Sequence, residues 1–302
     1  MLLSNLQNAS RNIHVKSRDT SHLKLKSLPD NYISKVVSDE DRKPSTRRPA
    51  IKKYIHVSEL IRGVCIRKII LQNRLGIYDE EDVTGGHRVV WALGRAVESH
   101  VRNSFIAQTK GLGVLGKWSC KCGHVKFTGF QTKNVQFCPK CNTACLNYNE
   151  LRFVDETVGV VGHPDFILKL DGNKLVIVEI KSIKAKTTSG GVGFDDLDQP
   201  IADHTMQAAI YRFLAKNMGY DVHDEVIVFY CTKDFKWGSP YKEYRVDVTK
   251  GHWQESIDRM WNVALEMRNA INLSKLPSRK VCSSVQSTDA KSCSVVTSCF
   301  AL

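Results

Sequence analysis

The segment Lys174-Leu175-Val176-Ile177-Val178-Glu179-Ile180 is almost unbroken in apolar side chains until a glutamate interrupts it. A strand with one wet face alternates apolar and polar residues, whereas one apolar at successive positions is covered on both faces, so this run reads as the central strand of a sheet. Asp171-Gly172-Asn173 before it is a hairpin-turn signal. The preceding stretches, 157–163 and 165–170, read as strands paired with each other.

Helical spacing surrounds this centre. Over 57–75 the apolar residues Leu60, Ile61, Val64, Ile69 and Leu71 recur every three or four positions after a Ser58 cap, and Arg62, Arg67, Lys68 and Arg74 make the helix basic, with Cys65 inside it. A second helix over 88–105 gathers Val90, Leu93, Val97, Val101 and Phe105 on one face, where Gly94 permits close approach of a neighbour. Downstream, 204–218 reads as a helix, 225–232 and 244–248 as strands, and 253–271 as a helix with Trp253, Ile257, Met260, Ala264, Met267 and Ile271 inward. Strands flanked by helices make an α/β core.

The 302 residues carry 44 Lys plus Arg against 31 Asp plus Glu, a formal charge of +13, so a polyanion is the partner that gains most from the field. Nucleic acid fits, and an acidic membrane surface is the alternative. No apolar run reaches the length of a membrane span and the opening Met1-Leu2-Leu3-Ser4-Asn5 lacks the apolar core of a secretory signal, so a soluble cytoplasmic protein with no membrane partner is expected. Residues 1–50 are basic and without sustained periodicity, which reads as a flexible arm.

An Asp/Glu-x-Lys triplet is common by chance, and the chain has four: at Asp41, Asp234, Asp289 and Glu179. Glu179 differs in its setting, since an otherwise apolar strand would be burying Glu179 and Lys181 on one face unless they pair or do chemistry. Asp165, opening the preceding strand, can be brought to them by the hairpin. Carboxylates that hold a divalent cation, with a lysine beside them, are what phosphodiester hydrolysis requires: an activated water and neutralised charge on the phosphoryl oxygens. A structural salt bridge is the other reading of the same residues.

Gly162-His163-Pro164-Asp165-Phe166, then Val176-Ile177-Val178-Glu179-Ile180-Lys181-Ser182, then Gln207-Ala208-Ala209-Ile210-Tyr211, in that order, resemble the motifs of the PD-(D/E)XK nuclease superfamily. The likeness is to its RecB-type branch, including the iron-sulfur CRISPR-associated exonucleases and phage recombination exonucleases, and it spans about residues 57–299. It implies a restriction-endonuclease-like core, a mixed central sheet flanked by helices, and a DNA exonuclease dependent on Mg²⁺ or Mn²⁺ that works in DNA recombination, repair or replication of a phage or mobile element, with recombination or replication proteins as partners. By the resemblance Asp165, Glu179 and the Ile180 carbonyl would bind the metal, Lys181 would orient water or stabilise charge, and Gln207 and Tyr211 would contact DNA or Lys181. A further ligand is implied on an earlier helix, four residues after a glycine; Glu98 has that spacing from Gly94, and His100 is the alternative. A non-catalytic DNA-binding module or recombination scaffold would keep the same fold.

Of ten cysteines, Cys120-x-Cys122 and Cys138-x-x-Cys141 form two short hairpins with the spacing that a thiolate Zn²⁺ site wants, although the first has one residue fewer than a usual zinc ribbon, and His124 or Cys145 could replace a member. Cys231 lies in an apolar run and reads as a buried structural thiol. In the iron-sulfur nucleases that the chain resembles, one cysteine before the nuclease motifs and three near the C-terminus hold a [4Fe-4S] cluster; Cys65, Cys282, Cys293 and Cys299 correspond, with a longer loop after Cys282. Read without the family, these are equally a second zinc site or free thiols. The expected organisation is a basic arm at 1–50, N-terminal helices at 51–116, a zinc-ribbon-like insertion at 117–146, the nuclease core at 147–275 and a cysteine tail at 276–302.

Overall fold

The computed structural model describes residues 54–63, 65–77, 85–108, 113–131, 136–145, 147–169, 174–186, 191–234, 238–272 and 276–302. The arm expected at 1–50 and the turn at 171–173 lie outside the described residues. Among the described residues the protein is a mixed α/β fold whose seven-stranded sheet runs β10 (Tyr241–Asp247), β9 (Glu225–Thr232), β8 (Leu175–Ile183), β7 (Phe166–Lys169), β2 (Gly113–Ser119) and β3 (Lys126–Gln131), with β4 (Asn147–Asn149) also paired to β2. The apolar run is β8, which lies antiparallel to β7 and parallel to β9.

Alternation along β8 assigns its two faces. Leu175 and Ile177 enter a core with Ile167 and the inner residues of α4 (Ala202–Asn217) and α5 (Trp253–Asn272), among them Ile210, Leu214, Ile257, Ala264 and Met267. Val176, Val178 and Ile180 enter a second core with Phe166, Leu168 and, from α3 (Gly85–Gln108), Val101 and Phe105. Both faces are covered, as the unbroken apolar pattern requires. Cys231 is buried in β9, as expected, and burial pushes its thiol pKa up.

Several local expectations are corrected. The single helix over 57–75 is two, α1 (Val57–Arg62) and α2 (Ile66–Leu75), because Gly63 at φ 85° turns the chain out of the helical region and Cys65 becomes the residue preceding α2. Ser58 lies inside α1, which His56 starts, its N–H donating to the Glu59 carboxylate at 3.0 Å. The stretches at 157–163 and 165–170 do not pair. β6 (Val160–Gly162) joins β1 (Ile55–His56) and β5 (Phe153–Asp155) in a small separate sheet, and β7 pairs with β8 and β2 instead. On α3 the expected inward face holds only at its C-terminal half. Val90 and Leu93 are exposed at 47% and 49%, since the core that receives Val101 and Phe105 does not extend to them. A Cβ at Gly94 would meet Ser182 Oγ at 3.5 Å, an ordinary contact, so the helix approaches β8 there without requiring a glycine.

The cysteine-rich stretch continues the main sheet through β2, β3 and β4. Trp118 is buried between them and its indole N–H donates to the Gly129 carbonyl at 3.1 Å. At the C-terminus, α6 (Thr288–Lys291) and α7 (Val296–Ala301) frame a small core in which Val295 and Cys299 meet Leu71 of α2. Arg67 pins this tail: its guanidinium donates to the Pro277 carbonyl at 2.7 Å and the Cys299 carbonyl at 3.0 Å.

Candidate active site and metal centres

The β7–β8 register, which pairs Phe166 with Val178, carries Asp165 to the side of Glu179. An Asp165 carboxylate oxygen accepts the Ile180 N–H at 2.8 Å, tying the two strands where the expected ligands converge. Glu179 is fully buried; one oxygen is ion-paired with Lys181, and the other is buried with no hydrogen-bond partner. Lys181 Nζ also donates to Gln207 Oε1 at 3.1 Å, and Gln207 Nε2 donates to the Tyr211 hydroxyl at 2.8 Å. α4 therefore braces the lysine through two residues one turn apart. The Tyr211 ring packs against Gly162, where a Cβ would come within 2.6 Å of ring carbon Cδ1.

Electrostatics follow from this burial. Desolvation pushes Asp165 up to about 6, with the opposing pull of Lys181 too weak to restore it. Glu179 is driven well above the usual carboxylate range by burial and by Asp165 beside it. Burial would strip the proton from Lys181, but the attraction of Glu179 and Asp165 together outweighs it and its pKa ends up raised. Tyr211 is likewise raised by burial and the nearby Glu179 charge. Next along α4, His204 Nδ1 lies 2.9 Å from the hydroxyl of Tyr230, the residue paired with Lys181 across β8 and β9, and burial with the lysine charge pushes this imidazole down to about 4.

On the open side, Glu98, Glu150 and Asp165 each bring a carboxylate oxygen within 4.8 Å of the other two, so this group can hold a metal ion. Glu98 comes from α3; its neighbour His100 is exposed and is not in the group. Glu150 was not among the residues expected from sequence. It sits just after the three-residue β4, in a polar stretch with neither period nor motif to mark it, and burial with the charges of Asp165 and Glu98 raises it to about 7. Arg102, one turn after Glu98, was also missed: it pairs with Glu98 at 2.6 Å and lies 4.1 Å over the Tyr148 ring. Tyr148 can lie flat on β2 because Gly116 has no side chain. Glu98, Arg102, Tyr148, Asn149, Glu150 and His163 line an open cavity of about 350 Å³.

Cys120, Cys122, Cys138 and Cys141 bring their sulfurs within 4.8 Å of one another, with Cys120 to Cys122 at 3.2 Å and Cys122 to Cys138 at 3.7 Å. A tetrahedral ion with Zn–S bonds of about 2.3 Å sets its sulfurs roughly 3.8 Å apart, so the group can bind zinc. Two tight turns make this possible: Gly123 N–H donates to Cys120 O at 3.0 Å with φ 70°, and Asn142 N–H to Cys138 O at 2.8 Å with φ 49°. The Val125 N–H holds Cys120 down to about 6, and Thr143 holds Cys141 down to about 7, both toward the thiolate that a metal takes. Cys145 is buried beside the set and His124 is exposed; neither is in the group.

Cys65, Cys282, Cys293 and Cys299 line one cavity with Arg67, Lys68, Arg279 and Lys280. Burial raises the Cys65 thiol, and the other three thiols add to the shift. Among the described residues these four do not close within the 4.8 Å that the first set meets. Cys299 Sγ accepts the Arg67 Nε–H at 3.2 Å.

No known family and no curated protein matches the chain. Among solved structures it is similar to the crystal structure of SSO0001, with a TM-score of 0.37 and 14% identity over 80% of this chain and 86% of that one. It is also similar to an alkaline exonuclease, LHK-Exo, from Laribacter hongkongensis, with a TM-score of 0.41 and 14% identity over 74% of this chain and 92% of that one. At this level of identity and superposition these likenesses assign no activity to the chain. No helix among the described residues is long and apolar enough to cross a membrane.

Proposed function

We propose that the protein is a nuclease dependent on Mg²⁺ or Mn²⁺ that hydrolyses phosphodiester bonds of DNA, acting as an exonuclease on ends or single strands in recombination, repair or replication. The observation that carries this reading is the buried Glu179 oxygen that no donor satisfies, beside Asp165 and Lys181. An unpaired buried carboxylate is costly, and a hard divalent cation is the partner that oxygen donors of this kind fit. Asp165, Glu179, the Ile180 carbonyl and Glu98 would hold it, with His100 kept as alternative to Glu98 only if the exposed imidazole turns inward.

When bound, the cation polarises the scissile phosphate and lowers the pKa of water. The chain's own groups supply the rest. Lys181, charged at neutral pH, positions the attacking water and offsets charge on the phosphoryl oxygens; Gln207 fixes its ammonium, and Tyr211 fixes Gln207. The net charge of +13 draws the polyanionic substrate. Zinc at Cys120, Cys122, Cys138 and Cys141 would close the hairpins that extend β2 and β3. We further propose a [4Fe-4S] cluster at Cys65, Cys282, Cys293 and Cys299, a reading supported by four thiols lining one cavity. In this organisation the arm at 1–50, the helices at 51–116, the zinc-bearing segment at 117–146, the core at 147–275 and the tail at 276–302 serve one DNA-processing enzyme.

The test is cleavage of labelled linear DNA with Mg²⁺ or Mn²⁺. Asp165→Ala should abolish it while DNA binding persists; unchanged cleavage would refute the assignment. The direct ion pair between Lys181 and Glu179 favours one second reading, a non-catalytic DNA-binding protein, which predicts no metal-dependent cleavage of any DNA form.

A further inference from the structure

We propose that Tyr148 and Arg102 are positioning residues that tie the carboxylate site to the four-cysteine set, so that an ion held by Cys120, Cys122, Cys138 and Cys141 sets how tightly Glu98 and Asp165 hold their own cation. The proposal rests on the nuclease reading and deepens it, naming what governs the same site.

Glu98 needs a fixture of this kind. It sits on α3 where the helix leaves the core: Val101 and Phe105 are packed, whereas Val90 and Leu93 on the preceding turns are exposed. Arg102, one turn on, is buried at 7% and donates to Glu98 at 2.6 Å and to the Ser99 hydroxyl at 3.4 Å. Its Nε is buried with no hydrogen-bond acceptor among the described residues. The guanidinium plane rests instead on the Tyr148 ring, 4.1 Å from its centre, well inside the roughly 6 Å over which a cation is drawn to an aromatic face. Arg102 takes one oxygen of Glu98 and so orients the other. Such an outer partner fixes a ligand without touching the cation.

Tyr148 is placed in turn by the cysteine-rich segment. It is the middle residue of β4, a strand of three residues paired with β2. In that pairing it stands opposite Trp118, edge to face with ring centroids 5.0 Å apart, and a Cβ at Gly116 would overlap its ring. Trp118 lies two residues before Cys120, and β4 begins two residues after Cys145. Closing Cys120 and Cys122 onto Cys138 and Cys141 therefore joins the end of β2 to the hairpin that leads into β4. So short a strand has little ladder of its own to hold that register. The Tyr148 hydroxyl also donates to the Asp165 carbonyl at 3.4 Å, a long bond, so the ring carries the link more than the hydroxyl does. One side chain thus touches Asp165 directly and Glu98 through Arg102.

Manganese affinity of the full-length protein, purified anaerobically, reads the link without cleavage. Free Mn²⁺ is followed by electron paramagnetic resonance at pH 8, with zinc content and the urea midpoint measured for each variant. Tyr148→Leu removes the ring and Cys138→Ser the zinc; each should weaken Mn²⁺ binding at least about tenfold, with zinc retained in Tyr148→Leu. The double variant should bind no more weakly than the weaker single, because both break one chain of contacts, and Tyr148→Phe should return affinity to within about twofold of wild type. Should Tyr148→Leu fail to fold, Arg102→Lys reads the same link, since it keeps the charge beside Glu98 and loses the flat face on the ring; it too should bind Mn²⁺ more weakly. Wild-type affinity in the folded ring or cysteine variants, losses that add in the double variant, or a Tyr148→Phe as weak as Tyr148→Leu would overturn the proposal. If wild type and Cys138→Ser bind Mn²⁺ and cleave DNA equally well, the link fails and the nuclease reading stands, whereas a wild type that binds no Mn²⁺ removes both.

Discussion

Asp165 and Glu150 enter the folded state with carboxyls raised to about 6 and about 7, because burial among other acids disfavours their charge. In the unfolded chain both would titrate near 4. The folded protein therefore binds protons more tightly, and the stability linked to them is complete below about pH 4 and lost as pH rises through 6 and 7. A cation held by Asp165 reverses this, since it binds only the ionised form. The shift in melting temperature produced by added Mg²⁺ should thus grow from pH 5.5 to pH 8 in scanning fluorimetry. A shift independent of pH would mean that Asp165 is not its ligand. Lys181 behaves oppositely: its raised pKa keeps it charged across that range, so Lys181→Met should remove cleavage at every pH rather than displace the profile.

At the scale of elements, the site depends on how closely α4 lies on the sheet. Gly162 permits the Tyr211 ring to occupy the space a side chain would take. Gly162→Ala should destabilise the fold by about 1 to 3 kcal/mol through overpacking, measurable by urea denaturation, and should lower cleavage by loosening Gln207 and Lys181; equal stability and activity would show that the ring simply shifts. The zinc hairpins make a parallel case. Cys138→Ser should lose zinc and amide protection across 120–145 in hydrogen exchange, and unchanged protection there would show that the two turns hold without metal.

How much of this was readable in the chain differs element by element. β8 and the common face of Glu179 and Lys181 follow from period, which is local, whereas Gln207 and Tyr211 were marked only by the family resemblance. Glu150 and Arg102 were invisible because their roles arise only when the end of β4, α3 and β7 meet. The helix break at Gly63 was masked by apolar spacing that continues across it. The exposure of Val90 and Leu93 could not be read from periodicity, which reports a shared face but not how far the neighbouring core extends. The strand partner of residues 160–162 was misread because 165–170 is the next strand in sequence, whereas pairing was decided by β1 and β5 from elsewhere in the chain.

For the whole molecule, charge and the C-terminal tail set the expectations. With +13 formal charge, DNA binding should weaken steeply with salt, the logarithm of affinity falling linearly with the logarithm of salt concentration; a flat dependence would mean that the basic residues do not meet phosphate. The tail is held through Arg67 and the four-cysteine cavity. Anaerobically purified protein should be brown and carry about four iron and one zinc per chain, and zinc without iron would overturn the cluster.

The central claim concerns chemistry at Asp165, Glu179 and Lys181. It is tested most directly by incubating end-labelled linear DNA with Mn²⁺ and either wild-type protein or Lys181→Ala, each first shown to bind the DNA. Metal-dependent loss of label by the wild type, abolished in Lys181→Ala at equal DNA binding, is the predicted result; cleavage by both at the same rate, or by neither, contradicts it.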